Sequence, residues 1–230
     1  MQSARRLLPT LILGAALLTL TLPAFSASNH IDGNLVLLPA SKLPPQARTA
    51  SEAMTLHAVD PDTLYLYIEQ DHGHALAVFD VTDPGKVKFK KLTTLDASTP
   101  FDFVESVAPN AILIRYRDGS GEAILDLQKP KAPHLRSLTG TPTESYILPV
   151  ESSASTTRPE IETPRDYQIV TPNDAHPVLT IKSVIQKQTS LDTNATYLLS
   201  PDGLTVVRNI RSERKLAASV APWSNTIDDN

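Results

Sequence analysis

A ten-residue phrase returns along this chain, and its spacing restricts the fold to an array of like units. Residues Val78–Val87 read Val-Phe-Asp-Val-Thr-Asp-Pro-Gly-Lys-Val, and Ile124–Pro133 read Ile-Leu-Asp-Leu-Gln-Lys-Pro-Lys-Ala-Pro. In both, an apolar run ends in an Asp and a Pro follows four residues later. Worn copies run Gln168–Pro177 and Val206–Arg211, with a fifth at Leu37–Ser41. With Pro39, Asp80, Asp126, Val170 and Asn209 as anchors, the steps are 41, 46, 44 and 39 residues. Units of this length stack because none can bury its apolar face alone. An Asp at a strand end accepts backbone N–H groups of the next turn, and a Pro soon after ends the pairing. Asp80, Pro84, Asp126, Pro130, Val170 and Asn209 therefore read first as structural anchors.

Between anchors, short runs rich in β-branched residues and Leu alternate with turn signals, and no stretch sustains a helical period. The unit from Phe101 is the clearest: strands Phe101–Val107, Ala111–Arg117, Glu122–Leu127 and His134–Leu138, with a turn at Asp118–Gly121. The preceding unit matches, with Thr55–Val59, Leu64–Glu69, Ala75–Val81 and Val87–Leu92 about a turn at Asp71–His74. The last unit offers Ala195–Leu199 and Leu204–Ile210. The third is irregular, with strands at Tyr146–Val150 and Asp166–Val170 around a Ser/Thr/Pro/Glu insert at residues 151–165. That insert is too polar to order itself and reads as a disordered tip, with a partner-binding loop as the alternative. The expectation is an all-β, small propeller-like array of about four four-stranded antiparallel blades. An orphan strand, Asn34–Leu38, is placed to pair with the final unit and close the ring, which removes exposed edges.

The N-terminus reads as a secretory signal: Arg5 and Arg6, an apolar run, then small residues for cleavage after residue 26 or 27. No other segment is apolar for long enough to span a bilayer. The single repeat domain then covers residues 27–222, with a polar tail at 223–230 holding the lone Trp223. Cleavage leaves 19 basic residues against 25 acidic ones, a mildly acidic balance that argues against nucleic-acid binding. With no Cys, disulfides, Cys-ligated zinc and thiol nucleophiles are excluded.

The runs Ala77–Pro84 and Ala123–Pro130 resemble the LVIVD repeat of bacterial surface and exported β-propellers. The likeness covers residues 55–217 and weakens where Val170 and Asn209 replace Asp. It implies a propeller used for binding or display. It carries no shared catalytic residues.

Basic residues gather after the anchors, among them Lys86, Lys88, Lys90, Lys129, Lys131 and Arg136. These positions fall on the outer strand of each unit, where Lys guards an open edge against pairing; a basic rim for anionic envelope polymers is the alternative. Asp71-His72-Gly73-His74 carries metal-ligating residue types, but it aligns with turns that lack His, so turn chemistry accounts for it. Asp118–Glu122 lacks the ligand series of a calcium loop. Ser212-Glu213-Arg214-Lys215 matches Ser-x-x-Lys without its companion motifs. No catalytic, cofactor or metal residue is assigned. The candidate partner-binding residues are His72 and His74 in their turn, Arg115, Tyr116 and Arg117 as an Arg/Tyr cluster of the kind favoured at interfaces, and Arg158 in the insert. The chain is thus expected to be a periplasmic or secreted bacterial scaffold, binding a protein or envelope component without a cofactor. A periplasmic immunity protein against an envelope-targeting toxin, and a hydrolase with a site in the central channel, are the alternatives. Three or more ionisable groups converging in one pocket would favour the hydrolase.

Overall fold

The computed structural model describes residues 29–32, 35–138, 163–171 and 174–210. The expected signal segment, the tail, Arg158, the strand expected at 146–150 and nearly all of the insert lie outside the described residues. Of the insert, Arg165 opens a strand.

The described residues are all-β. The strands are β1 (Asn29–Asp32), β2 (Leu35–Leu38), β3 (Met54–Asp60), β4 (Thr63–Gln70), β5 (Ala75–Asp80), β6 (Lys88–Thr94), β7 (Phe101–Ala108), β8 (Ala111–Tyr116), β9 (Glu122–Asp126), β10 (His134–Ser137), β11 (Arg165–Thr171), β12 (Asp174–Val184), β13 (Gln186–Ser190), β14 (Ala195–Ser200) and β15 (Gly203–Asn209). They form antiparallel sheets ordered β3-β4-β5-β6, β7-β8-β9-β10, β11-β12 and β1-β2-β15-β14-β13. Three short 3-10 turns, Ala40–Lys42, Pro45–Arg48 and Asp71–Gly73, complete the elements.

The central strands explain how the sheets stack. Residues 65–70 of β4 and 75–79 of β5 are buried without a break, so both faces of their sheet are covered. Parity sorts the side chains, since successive residues of a strand point to opposite faces. Leu66, Ile68, Ala77 and Phe79 join Val36, Tyr197, Leu204 and Val206 in one core, between the β3–β6 sheet and the β2/β13–β15 sheet. Tyr65, Tyr67, Leu76 and Val78 join Phe101, Ile112, Ile114 and Leu125 in a second, between the β3–β6 and β7–β10 sheets. Leu113 and Ile124, on the far face of β7–β10, start a third. By contrast β6, an edge strand, is mostly exposed along Lys88–Thr94.

Two anchors are geometrically alike. Asp80 Oδ1 accepts the Thr82 N–H (3.2 Å) and Oδ2 meets Lys90 Nζ (2.9 Å). Asp126 Oδ1 accepts the Gln128 N–H (2.9 Å) and Oδ2 meets Arg136 Nη1 (3.1 Å). Both basic partners lie ten residues on, across to the edge strands β6 and β10. Pro84 is buried in the first link, and the Pro130 carbonyl accepts from Tyr67 Oη (3.0 Å).

The later anchors depart from expectation. The N–H groups of Val81, Leu127 and Asn209 donate to Leu64, Asn110 and Asn194 carbonyls in equivalent positions. Arg208, not Asn209, is therefore the register equivalent of Asp80 and Asp126. The difference matters because a one-residue slip exchanges the two faces of a strand. Without an Asp the phrase could not locate its own end; the burial of Leu204 and Val206 sets the register instead. Val170 is not equivalent either. β11 turns into β12 with Thr171 opposite Asp174, so no seven-residue link follows, and Pro177 lies within β12. Pro39 follows β2, the strand laid beside β15, and not the third strand of a unit. The orphan strand does pair with the final unit: Leu38, Leu37, Val36 and Leu35 stand opposite Val206, Val207, Arg208 and Asn209.

Candidate functional site

Antiparallel order puts the turns at Asp71–His74 and Arg117–Gly121, the link 95–100, the segment 43–53 and the turn at Pro201–Asp202 at one end of the sheets. A cavity of about 640 Å³ opens there, lined by Thr49–Glu52, Glu69–His72, Leu92, Ile185 and Pro201, among others. Such a volume suits a small ligand or an inserted side chain.

Glu69 is the unusual residue in it. After Thr63, β4 carries only aliphatic and tyrosine side chains until its last two positions, and pairing carries Glu69 inside: its N–H donates to the Ala53 carbonyl (2.9 Å) and only 2% of its surface is exposed. Burial pushes its carboxyl up to about 6, with Asp102 and Asp71 adding to the rise and the Gly73 N–H and His72 opposing it. Its Oε1 has no hydrogen-bond partner. Gln70 is also buried, its Nε2 donating to the Gln46 carbonyl (2.8 Å).

The turn beyond is strained. Asp71 and His72 both hold φ of +52°, the left-handed region that non-glycine residues rarely enter. Gly73, at φ +93°, lies so close to Thr99 that a Cβ would collide with its carbonyl oxygen. Backbone strain of this kind gathers at functional sites.

Arg117 holds the rim. Its Nη2 and Nε donate to Asp102 Oδ1 (2.6 and 3.0 Å), its Nη1 meets the Glu52 carboxylate, and Nη2 also reaches the Glu52 carbonyl (3.2 Å). It therefore ties β7 and the β8–β9 turn to the segment before β3. Arg115 pairs across the same turn with Glu122 (2.6 Å), and Tyr116 is half-buried.

Of the residues singled out from sequence, His72 reaches the cavity, where Glu52, Glu69 and Asp71 join it. His74 is exposed in the turn, its N–H donating to the Asp71 carbonyl (3.1 Å). Arg115 and Arg117 are held by carboxylates of their own chain. Glu69 was missed, although the signal was present: a lone carboxylate closing the apolar run Leu64–Ile68. Four ionisable side chains thus line one cavity, the convergence set out above as favouring the hydrolase alternative, while among the described residues no set of His, Asp and Glu is gathered closely enough to hold a metal. No protein-family model, curated protein or solved structure matches this chain.

Proposed function

We propose that this chain is an exported β-repeat scaffold that acts by binding, with its sheets as blades of a small propeller and its ligand seated in the cavity at the connection-rich end. The observation that carries the reading is that cavity, where loops of several sheets leave a buried carboxylate oxygen unpartnered. The propeller arrangement draws support from cyclic equivalence. Val78, Ile124 and Val206 each stand two residues before the register position of Asp80, Asp126 and Arg208. Val206 faces the β3–β6 sheet, Val78 faces β7–β10, and Ile124 faces away from both. Pairing of β2 with β15 joins the chain's early and late segments in one sheet, as ring closure requires. Export rests on the signal-like N-terminus.

The test is partner recovery from envelope extract on immobilised mature protein. Thr49→Arg and Leu92→Arg at the cavity end are expected to abolish it, while Asp62→Arg and Lys129→Glu at the opposite end leave it intact. Recovery that survives the first pair, or falls equally with the second, removes this face as the binding surface.

An acid–base hydrolase working in the same cavity is the second reading, favoured by the Glu69 carboxyl raised to about 6 among Glu52, Asp71 and His72. A general acid or base is most effective when its pKa lies near the working pH. That reading requires turnover of an ester or glycoside panel that Glu69→Gln abolishes.

A further inference from the structure

We propose that the cavity binds an alkylammonium group, its N–H donors directed at the Glu69 carboxylate and its methylene stem lying along Leu92 and Ile185. The inference rests on the binding reading and specifies the ligand's chemistry.

Three observations converge on it. First, Glu69 lines the cavity and its Oε1 is a buried acceptor without a hydrogen-bond partner, an arrangement that a donor reaching the carboxylate relieves. Second, the surrounding charge is acidic. Glu69 and Asp71 make no ion pair among the described residues, and the nearby Arg117 is already shared by Asp102 and Glu52. An anion entering here meets carboxylates, and a neutral hydroxyl leaves their charge uncompensated. Third, the mouth is apolar on one side. Leu92 is 49% exposed, one of few large hydrophobic side chains so placed among the described residues, and it lines this cavity with Ile185 and Pro201. An aliphatic stem ending in a charge matches an apolar wall that ends in a carboxylate.

The contact the carboxylate already makes also distinguishes between cations. A guanidinium is best held by two parallel bonds to both oxygens of a carboxylate, whereas an ammonium is a compact point donor. Because the Gly73 N–H already acts on this carboxylate, the ammonium fits better. Its source is either a free amine or a lysine side chain of a partner.

Binding requires the ionised carboxylate, so it is coupled to protons. The groups acting on Glu69 are Asp71 and His72 in the turn, Asp102 on β7 and the Gly73 N–H; Glu52 and Arg117 stand at the rim. With the carboxyl near 6, affinity should fall about tenfold from pH 7.5 to pH 5.

The experiment is calorimetric titration of the mature protein with putrescine, N-acetyl-lysine methylamide, N-acetyl-arginine methylamide and the uncharged N-acetyl-norleucine methylamide. The amines are expected to bind and the norleucine derivative not. Glu69→Gln is expected to weaken binding at least tenfold, and the exposed Leu92→Ser several-fold without disturbing the fold. Tighter binding of putrescine assigns a free amine; tighter binding of the lysine derivative assigns a partner's side chain. The proposal is overturned if neither amine binds, if norleucine or arginine derivatives bind as well, or if both variants bind as the parent does. Loss of amine binding alone, with partner recovery still sensitive to Thr49→Arg, would sink this inference and leave the binding reading standing.

Discussion

At the residue scale, Asp126 and Asp80 do the same task under different burial, and that difference sets their worth. Each carboxylate accepts a backbone N–H and meets a basic side chain. The Asp126 side chain is 4% exposed and that of Asp80 19%. Breaking a buried pair strands its partner at about 3–5 kcal/mol, whereas exposed pairs contribute at most about 1 kcal/mol. Asp126→Ala should therefore destabilise the protein by about 3 kcal/mol in urea unfolding, and Asp80→Ala by about 1–2 kcal/mol. Equal losses would contradict the burial argument. Burial pushes the Asp80 carboxyl up, but Lys90 and the Thr82 hydroxyl and N–H outweigh it and hold the group below its usual value.

Glu69 runs the other way. Its folded carboxyl, near 6, lies above its unfolded value, so its contribution is fully present in acid and is lost as pH rises through about 6. Glu69→Gln should then stabilise the fold by about 1–2 kcal/mol at pH 7.5 and by little at pH 4.5, read from urea midpoints at the two pH values. His57 has the opposite signature. Burial lowers its pKa, and its Nε2 has no partner, so stability attached to it is present above the unfolded histidine value and is lost on acidification.

At the scale of elements, the turn Asp71–Gly73 and the strand β2 are the vulnerable pieces. Gly73→Ala meets both an unfavourable φ and the Thr99 carbonyl, and should cost about 2 kcal/mol or more. Because the same turn lines the cavity, ligand binding should fall with it. β2 covers the edge of β15 and places Val36 and Leu38 in the first core. Val36→Asp should lower the thermal midpoint and promote self-association, since an uncovered edge seeks another strand. Light scattering during heating reads both effects; a monomeric variant with an unchanged midpoint would show that β2 is dispensable. Elements that carried the phrase were legible in the sequence, with the ends of β4, β5, β8 and β9 placed to within one residue. β12 and β13 were not. β13 is the polar run Gln-Lys-Gln-Thr-Ser, and it is held by pairing with β14 rather than by a pattern of its own.

At the scale of the whole molecule, the β3–β6 sheet is shared by two cores, so damage on one face should spread to the other. Phe79→Ala removes a fully buried ring from the first core, at about 3–5 kcal/mol. Hydrogen-exchange protection should then fall in β8 as well as in β14, because each of these sheets has one face covered by the middle one. Loss confined to β14 would mean that the sheets open independently.

The repeated phrase by itself determined the strands and Asx turns of the two units that carry it intact, and the stacking of like sheets. Those depend on the alternation of apolar residues and on turn chemistry, both local along the chain. Only the tertiary structure decided that Arg208 takes the anchor position and that Glu69 is enclosed beside Asp71, His72 and Glu52. These outcomes depend on which faces meet and which loops crowd one end. Burial and the resulting carboxyl shift are properties of neighbours distant in sequence, which no local pattern encodes.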